Sequence, residues 1–276
     1  MTVIAVTAIF DCLVIYVIAL VRALITIRSF QIWLDGLMEK PVDWWVGSNR
    51  FLIKALALTE FRFITEMPKA DRDSWYVITS NHQSWADILI LQVIFRDVSP
   101  IIKFFTKREL IWAPFVGIAM YLLGFPYVQR KVTGSQTNRE KLHESNKKSM
   151  LRARDRFIER PVAVLSFLEG TRFTPEKHQR TASPYKHLLK PKIGGFAFTL
   201  DHLEERRPKI LDVTLLYEGE VPGFWDFLCG KCRQVQIDIQ SVDTIPLQPN
   251  ALNEWLTAHW QEKDNHIDQL KASFHK

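Results

Sequence analysis

The hydrophobic pattern divides the chain near residue 62. From Val3 to Ile27 almost every position is aliphatic, interrupted by Asp11 and Arg22. That is long enough for the roughly 20 apolar residues a bilayer crossing needs, with two charges set against it. The run lacks an early basic region and a small-residue cleavage site, so it reads as an uncleaved anchor, with Arg22 and Arg28 marking a cytoplasmic end. Phe30 to Phe63 then mixes Trp33, Trp44 and Trp45 with Leu, Ile, Phe and a few charges, the composition of helices lying in the headgroup region. A core helix pair of a soluble protein has the same composition.

From about Trp75 onward, short β-rich runs alternate with helix-like segments. The expected fold is α/β, a twisted, mostly parallel sheet flanked by helices. Candidate strands are Trp75–Ser80, Ile101–Phe105, Phe125–Gln129, Val162–Phe167, Ile210–Tyr217 and Gln234–Ile239. Helices are expected near Trp85–Phe95, Pro114–Leu123, Glu140–Glu159, Gly195–His202 and Ala251–Phe274. Glu140–Glu159 interleaves Lys, Arg and Glu, which predicts a solvated face and no binding site. Thr174–Pro191 has no periodicity and reads as a long loop, a kind of segment that tends to be functional or mobile.

Composition narrows the class. The 276 residues are 47% hydrophobic and 24% charged, enough for a full core and unlike a disordered or fibrous chain. The formal net charge of +6 favours anionic partners: phospholipid headgroups, nucleotide-bearing molecules or nucleic acid. The basic residues are spread out and no zinc-finger or RNP-like spacing occurs, so nucleic acid is not expected. Of three cysteines, Cys229 and Cys232 form Cys-Gly-Lys-Cys, with no second pair and no strand-to-helix turn. A turn between elements in a reducing compartment is the expectation.

The sharpest string is Asn81-His82-Gln83-Ser84-Trp85-Ala86-Asp87, directly after a predicted strand. Ligands of open α/β sheets gather at the carboxyl ends of strands. Ser84 and Asp87 also read as a near capping box for the following helix. On a straight helix, residues five apart lie about 140° apart, so His82 and Asp87 meet only if His82 precedes the helix, where the capping box places it. In that arrangement Asp87 accepts the Nδ1 proton of His82 and leaves Nε2 free to take another, the geometry of a general base. No G-x-S-x-G elbow supplies a protein nucleophile, so the nucleophile is expected on the substrate, with an acyl thioester as a suitable donor.

A second string, Phe167-Leu168-Glu169-Gly170-Thr171-Arg172, follows another predicted strand. Gly170 permits close backbone approach, Thr171 offers a hydroxyl and Arg172 a two-pronged phosphate grip. A turn with a surface ion pair is the bland alternative.

Together the two strings resemble the glycerolipid (1-acylglycerol-3-phosphate) acyltransferase family, whose members carry N-H-x-x-x-x-D (the HX4D motif) and, some eighty residues on, an E-G-T-R block. The intervening Lys103, Lys107-Arg108-Glu109-Leu110, Pro114, Gly117, Gly124 and Val128-Gln129-Arg130 also match the family's middle block. Leu168 stands where Pro is usual, and the later block reads Asp212-Val213-Thr214-Leu215-Leu216-Tyr217. These departures, with Phe173–His178, resemble the branch of a bacterial probable acyltransferase and the lysocardiolipin and lysophosphatidylinositol acyltransferases.

The resemblance implies an O-acyltransferase of phospholipid metabolism in which His82 is the base and Asp87 its partner. Glu169, Gly170, Thr171 and Arg172 would bind the acceptor phosphate, helped by Lys107 and Arg130. It implies acyl-CoA or acyl carrier protein as donor, a lysophospholipid acceptor, membrane lipid around N-terminal helices (residues 1–62), an acyltransferase domain over 63–276, and no cofactor or metal. The expected location is a bacterial inner membrane, with the domain on the cytoplasmic side. Two alternatives remain at this point: an esterase or thioesterase in which the same pair activates water, and a non-catalytic membrane protein that holds anionic lipid. A metal held by His82 and Asp87 lacks further ligands at useful spacing.

Overall fold

The computed structural model describes residues 2–129 and 136–273. Helix α1 (Thr2–Leu24) is followed by α2 (Arg28–Ala55), and strand β1 (Glu60–Phe63) leads into β2 (Tyr76–Ser80) and α3 (Ala86–Phe95). Next come β3 (Ile102–Phe104), β4 (Thr106–Lys107), a 3₁₀ turn (Arg108–Trp112), α4 (Val116–Leu122), β5 (Tyr127–Val128) and α5 (Gln136–Glu159). The second half holds β6 (Ala163–Phe167), α6 (Pro175–Thr181), α7 (Ile193–Leu203), β7 (Lys209–Tyr217), α8 (Phe224–Leu228), β8 (Gln234–Ser241) and α9 (Pro249–Ser273).

Six strands form one sheet in the order β1-β8-β7-β2-β6-β3. All neighbours are parallel except β7 and β8, which pair antiparallel. The mostly parallel α/β sheet read from the sequence is therefore present. Every residue of β2 is buried, as expected of a central strand covered on both faces. One face carries α3, whose residues Leu89, Ile90, Leu91, Val93 and Phe95 are all buried. The other carries α5, α7 and α9 through Phe157, Phe196, Leu200 and Trp260. Helix α5 is otherwise polar and solvated, as its composition predicts.

A buried ion pair locks α9 to this sheet. Lys263 Nζ reaches both oxygens of Asp212 at 2.9 and 2.8 Å and the carbonyl of Val213 at 2.8 Å, while Thr79 donates to the same carboxylate at 2.6 Å. Burial works to raise the Asp212 pKa, but Lys263 and His259 overcome it and leave the group below the ordinary carboxylate range.

Three local readings are corrected. Phe30–Phe63 is one long helix, α2, and then an edge strand, β1, whose partner β8 lies far along the chain. Phe125–Gln129 gives only β5, which pairs with β4 in a separate ribbon rather than joining the main sheet. Thr174–Pro191 is not wholly loop. Thr174 accepts a hydrogen bond from the Lys177 amide at 3.3 Å and Pro175 opens α6, a cap and first-turn pairing that favours a helix start. The Cys229–Cys232 turn is as expected, with all three cysteines free.

At the N-terminus, Ile4–Leu24 is long and apolar enough to cross a membrane by length and composition. One face of α1 packs on α2 and α4 through Cys12, Ile15 and Ala19, and the other exposes Val6, Phe10, Leu13, Val17 and Leu20. Arg22 is neutralised by Asp35 of α2 through two hydrogen bonds, at 2.6 and 3.1 Å.

Candidate active site

Strands β2, β6 and β7 run parallel side by side, so their carboxyl ends open on the same edge of the sheet. The chain leaves β2 into Asn81. Its side chain completes the ladder in place of backbone, donating to the Leu215 carbonyl and accepting from the Leu215 amide, both at 2.9 Å. This pins the turn that follows to β7.

His82 and Asp87 meet across that turn, Nδ1 to Oδ2, at 2.8 Å. The cap differs in detail from a capping box. Asp87 reaches back to accept the amides of Gln83 at 2.7 Å and Ser84 at 2.9 Å, whereas the Ser84 hydroxyl accepts from Ala86 at 3.1 Å and donates to the Pro222 carbonyl at 2.6 Å. The fourth donor to Asp87 is the hydroxyl of Tyr217, at the end of β7. Burial and the neighbouring carboxylate push the Tyr217 pKa well up, so the phenol keeps its proton and donates. The imidazole stacks on Phe167 with ring centroids 3.9 Å apart, and the His82 side chain is only 11% exposed. With Nδ1–H given to the carboxylate, Nε2 is left as a proton acceptor.

The second string lies against the first. Gly170 holds a φ of +66°, a conformation that favours glycine, and a Cβ there would come within 2.9 Å of the Lys192 side chain. Glu169 turns inward: one oxygen accepts the His82 amide at 2.8 Å, the other the Leu189 amide at 3.0 Å. The Phe173 amide in turn donates to the His82 carbonyl at 2.6 Å. Desolvation dominates at Glu169, with Asp87 adding to it, and raises its pKa to about 8 despite the two amides.

The cations gather on the open side. Arg172 lies 5.0 Å over the Trp85 ring. Lys177, from α6, donates to Thr171 Oγ1 at 3.0 Å and to the Arg172 carbonyl at 2.7 Å. Its pKa is lowered by partial burial and by repulsion from Arg172, Lys107 and Arg180, as expected for positive charges converging on one spot. Of the residues singled out from sequence, His82, Asp87, Glu169, Gly170, Thr171 and Arg172 come together, and Lys107 acts on the same cluster. Arg130 lies outside the described residues. Sequence reasoning missed Tyr217, Lys177, Trp85 and Lys192 as site members. Lys177 alone had a local signal, the Thr-Pro-Glu helix start that brings it back toward Thr171.

A model of the Acyltransferase family matches residues 62–217, more than half of the chain, and the chain belongs to that family. Over 223 residues it is 25% identical to mouse 1-acyl-sn-glycerol-3-phosphate acyltransferase epsilon, covering 72% of this chain and 58% of the relative. It is 30% identical to the mouse delta form over 59% of this chain and 43% of the relative, and 27% identical to Danio rerio lysocardiolipin acyltransferase 1 over 70% and 52%. The chain spans about half the length of these curated relatives. Among solved structures, the 1-acyl-sn-glycerophosphate acyltransferase PlsC from Thermotoga maritima aligns over 96% of this chain and 98% of its own, with a TM-score of 0.48 and 16% identity.

The raised Glu169 pKa has a consequence for stability. The folded state holds this proton more tightly than the unfolded chain, so its contribution is full below about pH 4.5 and is lost as pH rises through about 8. The melting temperature of Glu169→Gln, neutral at every pH, should therefore fall less than that of the wild type between pH 5 and 8. Equal slopes would show that this carboxyl does not hold a proton in the folded protein.

Proposed function

We propose that the chain transfers a fatty acyl group from a thioester donor, acyl-CoA or acyl carrier protein, to a free hydroxyl of a lysophospholipid or 1-acylglycerol-3-phosphate. The observation that carries this reading is the His82–Asp87 pair at 2.8 Å, open at Nε2 and bordered by Thr171, Arg172 and Lys177. Nε2 takes the proton of the acceptor hydroxyl as its oxygen attacks the thioester carbonyl. The tetrahedral intermediate collapses by breaking the carbon–sulfur bond, and the thiolate leaves and recovers the proton from the imidazolium. No acyl-enzyme is required. Arg172, Lys177 and Lys107 give the acceptor phosphate a positive surround, and the Gly170 backbone lets it approach closely.

An apolar cavity of about 210 Å³ between α1, α3 and α4 supports the donor half of the reading. Its wall includes Ile88 and Gln92 of the helix that starts at the His82–Asp87 turn, and its apolar lining is a fit seat for an acyl chain. Arg22 in the last turn of the apolar N-terminal helix and Arg28 at the start of the next favour a membrane orientation with the domain on the cytoplasmic side.

Labelled acyl-CoA supplied with and without a lysophospholipid is the direct test. Label should move to phospholipid only with acceptor present; fatty acid released equally in both cases would make the protein a thioesterase. His82→Ala should lower turnover by about 10²-fold or more, which a lipid-holding protein without catalysis would not register.

Two further variants divide the site. Arg172→Ala should raise the acceptor KM far more than the donor KM, and equal rises would remove Arg172 from the phosphate. Tyr217→Phe should lower kcat by about tenfold with both KM values little changed. Its pH–rate profile should shift its acid limb upward, because Asp87 no longer shares its charge with the phenol and holds the imidazolium more tightly. An unmoved limb would leave Tyr217 a packing residue.

A further inference from the structure

The cavity beside α3 contains a group that an unsubstituted fatty chain does not explain. Its walls are largely apolar, among them Ile15, Ile88, Phe104, Ala119, Leu123 and Phe125. Two polar side chains interrupt them, Asp11 from α1 and Gln92 from α3. Asp11 is 6% exposed, and its Oδ2 is shut off from solvent with no hydrogen-bond partner.

Folding gives no reason for this carboxyl. A buried oxygen without a partner destabilises the protein that holds it, and Leu or Ile at the same place would extend the apolar wall. An acid carried into apolar surroundings by a membrane-type helix, facing a cavity instead of another helix, has the character of a ligand contact. The missing partner is a hydrogen-bond donor inside an otherwise oily space, which neither water alone nor a plain hydrocarbon supplies well.

We propose that the ligand brings that donor: the cavity takes an acyl chain bearing a hydroxyl group, whose O–H donates to Asp11 Oδ2. This rests on the acyl-transfer reading above and adds the substrate class, a hydroxy fatty acyl thioester preferred over the unsubstituted chain. Gln92 stands five residues beyond Asp87 on α3, about 7.5 Å along the helix axis.

The test uses the full chain in detergent with lysophosphatidic acid as acceptor. Donors are coenzyme A and carrier-protein thioesters of one chain length, with the hydroxyl moved position by position and an unsubstituted chain for comparison. The wild type should favour one positional isomer by about tenfold in kcat/KM over the plain chain. Asp11→Leu should bring that ratio to about one, and Asp11→Asn, which keeps an acceptor oxygen, should retain a preference. A flat response along the isomer series, or a preference that survives Asp11→Leu, overturns the proposal. The wild-type series decides even where a variant fails to accumulate. Transfer of plain chains without preference sinks this inference alone, whereas transfer from no donor, to lysophosphatidic acid or to a panel of other lysophospholipids, sinks the acyl-transfer reading beneath it.

Discussion

One buried carboxylate organises the reactive edge of this protein. Asp87 is fully shielded from solvent and collects four donors: the His82 ring, the amides of Gln83 and Ser84, and the Tyr217 hydroxyl. A carboxylate in an apolar surround persists only when its lone pairs are met, and here the donors come from three parts of the fold. Displacing any of them leaves the others facing an undersatisfied charge, so the turn after β2, the start of α3 and the end of β7 are held as one unit. The orientation of the imidazole follows from this satisfaction.

The second carboxyl is held by different means. Glu169 has two backbone amides and a deep, poorly solvated position, and its pKa stands near 8. It looks inward and ties β6 to the turn carrying His82, while the outward side of the same string presents Thr171, Arg172 and, from α6, Lys177. Two acids therefore act as braces on the protein side, and the positive charges are left for the open side. Such a division allows an anion to approach without meeting either acid directly.

Much of this was legible in the sequence, and the failures have physical causes. The strands of the central sheet announced themselves because a doubly covered parallel strand is rich in β-branched and aromatic residues, as in Tyr76–Ser80. The turn carrying His82 and Asp87 was legible because its residues are contiguous and its cap chemistry is local. Edge strand β1 was not, since Glu-Phe-Arg-Phe is short, largely exposed and defined by a partner more than 170 residues away. Tyr217 sits at a recognisable strand end, yet its contact with Asp87 spans 130 residues and no local pattern encodes it. Likewise β4 and β5 are too brief to carry a period, and only tertiary pairing defines them.

The backbone of His82 is bonded on both sides by the other string, its amide to Glu169 and its carbonyl to the Phe173 amide. The imidazole and the Thr171–Arg172 turn are thus welded into a caliper of fixed span, with no hinge between its jaws. On the proposed acyl-transfer reading, an acceptor would be gauged by the separation of its hydroxyl and its phosphate, and a longer or shorter spacer would find one end out of place. Tolerance for different headgroups, where it exists, has to come from whatever projects beyond the phosphate, outside the jaws.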